Sequence, residues 1–156
     1  MATSYDWLLF KPAEGGEASV ERVVPLKREA VERALLALPG VKKVGPNAYR
    51  YCAGKTAVLI STTCEEECRS LLVQVPYDNP LCSFDRAVKL CRQLAQVLGT
   101  AILDLQVGLW QTSRDVSRGR QEFRRQRELA RGIVRAIRAG RADLAGLKKE
   151  TLPYSP

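Results

Sequence analysis

The chain contains no histidine. That absence excludes Ser-His and Cys-His nucleophilic catalysis, and it excludes histidine-ligated metal sites. Four short signatures are missing as well: a Walker loop, GxGxxG, GxSxG and HExxH. No apolar run approaches the length of a membrane span, so a transmembrane protein is not expected. The segment Met1 to Phe10 lacks the basic start and long apolar stretch of a secretory signal, and a cytoplasmic location is the expectation. Acid residues are in deficit. The formal net charge is +8 over 156 residues, a length that can bury a real core without metal or disulfide staples.

That charge is unevenly spread. Residues 1–110 hold 13 Lys and Arg against 12 Asp and Glu, whereas residues 111–156 hold 12 against 5. The chain therefore reads as a near-neutral α+β domain over 1–110, an Arg-rich helical extension over 111–147 and an irregular tail over 148–156.

The periodicities give the order of elements. Tyr5 to Lys11 reads as a strand, and Pro12 to Ser19 as a loop. Pro25 suits a first helical residue, and Leu26, Ala30, Val31, Ala34, Leu35 and Leu38 then recur at helical spacing until Pro39-Gly40. Short extended segments follow at Ala48–Cys52, Thr56–Thr63 and Ser70–Val75. They are separated by Ala53-Gly54-Lys55 and by the acidic loop Cys64–Cys68. Ser83 is the expected N-cap of a second helix, whose apolar face runs from Phe84 to Leu98 and which Gly99 closes. Ala101 to Gln106 is the last strand. The order β-α-β-β-β-α-β predicts a two-layer α+β sandwich of the ferredoxin-like, split βαβ plan.

Asp115 to Ala139 is a third helix. Arg120, Arg124, Arg127, Arg131, Arg135 and Arg138 are spaced 4, 3, 4, 4 and 3, which places six guanidinium groups on one stripe. Val116, Phe123, Ala130, Ile137 and Leu144 repeat every seven residues and mark the docking side. The six arginines are the candidate partner-binding residues. An acidic protein surface is one target, because Arg makes bidentate contacts with carboxylates and is enriched at interface hot spots. Nucleic acid is the alternative, through phosphate contacts. Tyr49 and Tyr51 share a strand face, but no stretch matches the basic-aromatic signature of an RNA-recognition motif.

Other chemistry is thinner. Cys52, Cys64, Cys68 and Cys82 offer four thiolates for zinc, yet their spacing is not that of a compact knuckle, and no metal or other cofactor is expected. The fifth cysteine, Cys91, belongs to the core of the second helix. Glu65, Glu66 and Glu67 are adjacent and point apart. Asp6 and Asp104 sit on the first and last strands. A buried Asp104 would need a backbone donor or an arginine of the long helix as partner. No catalytic residue is identified, and an enzyme is the least favoured class.

The head YDWLLFKP, the middle LLVQVPYDNP and the closing AQVLGTAILDLQVG together resemble small bacterial immunity-type proteins of polymorphic toxin systems. The resemblance spans roughly residues 5–110. Its features are a Tyr-Asp first strand, the Leu98-Gly99 helix end, and a last strand bearing Asp104 and Gln106. It implies a cytosolic, non-enzymatic binder that blocks a toxin. The arginine helix lies outside it.

Overall fold

The computed structural model describes residues 3–13, 22–64, 67–110 and 116–140. It is a mixed α+β protein with three helices and an open antiparallel sheet among those residues. The first strand, β1 (Ser4–Pro12), leads to two short pairings, β2 (Val23–Val24) and β3 (Leu26–Lys27), and then to helix α1 (Arg28–Leu36). A four-strand meander follows: β4 (Val41–Gly45), β5 (Ala48–Ala53), β6 (Thr56–Cys64) and β7 (Glu67–Pro76). Helix α2 (Cys82–Leu98) leads to β8 (Ala101–Asp104), β9 (Leu109–Trp110) and helix α3 (Ser117–Arg138). The strands order as β4-β5-β6-β7-β1-β8-β9, with β2 against β1 and β3 against β7.

Five local expectations are revised. Beyond the predicted order, the strand expected over Ala101 to Gln106 ends at Asp104 and is followed by a short strand, β9, paired with it, and the sheet gains a meander strand, β4. Its central Lys42 and Lys43 are exposed at the sheet edge, where lysine blunts edge-to-edge pairing. Pro25 does not open α1. Leu26 and Lys27 pair with Cys68 and Glu67, and the helix starts at Arg28. Ser83 does not cap α2: it lies inside the helix, and its buried hydroxyl shares a 2.8 Å hydrogen bond with that of Thr56. The acidic loop is shorter than expected, because Cys64 and Cys68 are already partners in the β6–β7 ladder. Gly99 does close α2, in the left-handed conformation that glycine adopts without strain.

Burial follows the pleat. Tyr5, Trp7 and Leu9 of β1 are buried, as are Leu71, Val73 and Val75 of β7 and Val58 and Ile60 of β6, while their alternates are more open except for Phe10, which is fully buried on the other face of β1. Phe84 of α2 meets the rings of Tyr5 and Trp7 at 5.2 and 5.4 Å. Phe123 of α3 joins the same aromatic cluster, 5.8 Å from Phe84 and 5.7 Å from Tyr77. Five aromatic side chains thus lock β1, the segment after β7, and two helices together, with edge contacts that add to their area burial. Among the described residues no helix is long and apolar enough to cross a membrane.

Candidate functional site

The position of α3 decides what the arginines can do. The helix approaches β1 at Gly119, where an added Cβ would stand 2.7 Å from the Tyr5 hydroxyl and 3.0 Å from Asp104 Oδ2. Below that contact Tyr5 donates to Asp104 Oδ2 at 2.6 Å, and the backbone N–H groups of Gln106 and Val107 donate to Oδ1. Of the two partners expected for Asp104, the backbone donors are present, and Tyr5 joins them where an arginine of the long helix was the alternative. Burial pushes its carboxyl above the ordinary carboxylate range, against these three hydrogen bonds.

Asp6 does not join Asp104. Trp7 is the register partner of Asp104, so Asp6 projects from the opposite side of the sheet. There it accepts from Ser4 Oγ at 2.7 Å and from Gln74 Nε2 at 3.3 Å. Its backbone N–H donates to Gln106 Oε1 at 2.6 Å. The two carboxylates cannot converge on one substrate atom.

The arginine stripe divides into two sets. Two members tie α3 to the body. Arg120 grips Asp85 Oδ1 through Nε and Nη2, at 3.1 and 2.6 Å, and Arg127 Nε donates to the carbonyl of Asn79 at 2.8 Å. Asn79 is itself fixed, because its Oδ1 accepts the N–H of Ala57 at 2.7 Å. The other four, Arg124, Arg131, Arg135 and Arg138, are exposed and have no hydrogen-bond or ion-pair partner among the described residues. Sequence spacing identified the stripe but could not separate anchors from free cations, since Asp85 and Asn79 belong to distant segments.

The apolar side of α3 docks only in part. Phe123 is fully buried, Val116 and Ala130 pack against the core, and Ile133 is buried. Val134 and Ile137 are 46% and 47% exposed, and Leu144 lies outside the described residues. Between this half of α3 and the turn at Tyr77 and Asp78 runs an open groove of about 580 Å³. Ala130 and Val134 line it together with Arg127, Arg131, Arg135 and Arg138. Asp78 is its one acidic member among the described residues.

The remaining candidates sit apart. Tyr49 is buried and Tyr51 packs on the core, so this pair offers no open stacking platform. Cys68 and Cys91 are buried, whereas Cys52 and Cys82 are exposed; the side chain of Cys64 lies outside the described residues. Among the described residues no three Cys, Asp or Glu side chains gather as metal ligands.

Fold and site together define a mixed α+β protein whose helix α3 carries a row of arginines, four of them exposed and without a partner among the described residues, beside an apolar strip. The chain matches no protein-family model, no curated protein and no solved structure.

Proposed function

We propose that this chain is a non-enzymatic protein-binding module of the immunity type, which neutralises a cognate bacterial toxin on a two-layer, ferredoxin-like scaffold. The observation that carries the reading is the division of the stripe. Arg120 and Arg127 anchor α3, and this leaves Arg124, Arg131, Arg135 and Arg138 aligned and without a partner among the described residues. Docking fixes the backbone of the helix, so the spacing of the cations along it is set before a complementary acidic surface arrives and only their side chains remain to be ordered. Aligned charge of one sign also steers encounter and raises the association rate. The adjoining exposed Val134 and Ile137 favour a protein partner, since interfaces combine an apolar centre with a polar rim.

Nucleic acid is the competing partner, favoured by the same four exposed cations. Salt distinguishes the two. If four arginines met phosphate on duplex DNA, log K would fall with log salt at a slope of roughly −3.6. An interface with an apolar centre responds far less. The test is a gel shift with random DNA and RNA at low and moderate salt, alongside co-expression with the product of the gene directly upstream. Rescue from a toxic upstream product, with only weak and salt-labile nucleic-acid binding, is the expected result. Tight nucleic-acid binding abolished by an Arg124→Glu/Arg131→Glu pair would overturn the proposal.

A further inference from the structure

The geometry points to a specific occupant for the groove beside α3: an acidic amphipathic helix of the partner protein, laid along Arg127 to Arg138. This deepens the protein-binding reading and rests on it.

The first support is spacing. Arg127, Arg131, Arg135 and Arg138 follow one another at intervals of 4, 4 and 3 residues. With a helical rise of about 1.5 Å per residue, their origins lie roughly 6, 6 and 4.5 Å apart along the axis. A second helix with Asp or Glu at the same 4, 4, 3 intervals keeps step with that row over its whole length. An extended strand repeats its same-side residues every ~6.7 Å, so by the fourth carboxylate it is out of register by about 4 Å.

The second support is the mixed lining. Ala130 and Val134 lie in the groove beside the arginines, and Tyr77 walls it. Val134 and Ile137, both nearly half exposed, continue that apolar strip. Apolar anchors at i, i+3, i+4 and i+7 flanked by charge are how an amphipathic helix sits in a groove. A phosphate backbone brings charge but nothing to cover Val134.

The third support is charge complementarity. Among the described residues four guanidinium groups line the groove against one carboxylate, that of Asp78. Of the four, only Arg127 has a hydrogen-bond partner among the described residues, the Asn79 carbonyl. Its fork and those of its neighbours suit bidentate contact with carboxylates.

The test uses the full chain and a fluorescent peptide of about 18 residues, long enough to form a helix on binding. One peptide carries Glu at 4, 4, 3 intervals beside a Leu stripe. A second has the same composition, scrambled so that neither pattern survives. The patterned peptide is expected to bind at least about tenfold tighter than the scrambled one, and to gain helical circular dichroism on binding. Arg131→Glu/Arg135→Glu and Val134→Asp should each weaken it by about tenfold or more, with an unchanged unfolding transition. Equal binding of both peptides, with both variants weakened, would overturn the helical occupant and leave an acidic-protein edge standing. Failure of both peptides, together with tight polynucleotide binding that the arginine pair abolishes, would overturn the protein-binding reading itself.

Discussion

Gly119 lies directly over Tyr5, and a single Cβ added there would come within 2.7 Å of the tyrosine hydroxyl. That hydroxyl is held by Asp104, and the rim of Phe84 lies 3.1 Å from the same point. The long helix is thus seated by an absence of side chain, above a buried polar pair and beside an aromatic cluster.

The two glycines of α3 should therefore respond oppositely to alanine. Gly119→Ala gains helix propensity of about 1 kcal/mol. It overpacks a site with no slack, where strain typically costs about 1–3 kcal/mol. Net destabilisation is expected. Among the described residues nothing outside its own helix backbone lies within 4 Å of a Cβ added at Gly132, so Gly132→Ala should stabilise by about 0.5–1 kcal/mol. Urea unfolding midpoints of the two variants check the contrast.

Tyr5→Phe removes the donor to Asp104 Oδ2 and should cost about 1–3 kcal/mol. Asp104 also imposes a pH dependence. Its folded-state pKa is raised above the ordinary 3.8, mainly by burial. Its contribution is fully present below that ordinary value and is lost as pH rises through the folded value. Glu32 and Glu122 act in the opposite sense, because hydrogen bonds from Lys43 and Arg125 lower their pKa values. The stability of the parent minus that of Asp104→Asn should therefore fall between about pH 3 and neutrality. A flat difference across that range would remove Asp104 as the source.

Asn79 should matter more than either anchoring arginine, Arg127, which it receives, or Arg120, which Asp85 holds. Asn79→Ala leaves the Ala57 N–H without its side-chain acceptor, an expected loss of about 1–3 kcal/mol. Arg127→Ala gives up a bond to a carbonyl and should cost about 1 kcal/mol. Arg120→Ala breaks an ion pair whose side chains are 44% and 55% exposed, so its cost should be at most about 1 kcal/mol. Thermal melts of the three variants would rank them.

Thiol labelling should separate the cysteines by burial. Cys52 and Cys82 are expected to react quickly in the native protein, whereas Cys68 and Cys91 should react only after unfolding. Burial also pushes the Cys91 thiol up, which suppresses its reactive thiolate further. Mass spectrometry after a short pulse of maleimide reads the difference.

Much of this protein was legible in its sequence, because helices are specified locally. The apolar spacing along Phe84 to Leu98, the stop at Gly99 and the six-arginine stripe follow from a 3.6-residue repeat within one segment. Strands β1, β5, β6 and β7 were marked by composition and turn residues in the same way. The short strand β4 was not, because its Lys42 and Lys43 fit an exposed edge as well as a loop. Leu26 fits a helical apolar face equally well, and only its pairing with Cys68 made it a strand residue.

What the sequence by itself determined is a set of periodic segments, a near-neutral body and a concentrated row of arginines. Tertiary structure alone decided that β1 lies between β7 and β8, that Asp104 meets Tyr5 and not an arginine, and that Ser83 answers Thr56 rather than capping a helix. It also decided that Arg120 and Arg127 are anchors while four neighbours have no partner among the described residues. The physical reason is separation along the chain: Tyr5 and Asp104 are 99 residues apart, and Arg127 reaches across 48 to Asn79. Such contacts are made by packing, and no local repeat encodes them.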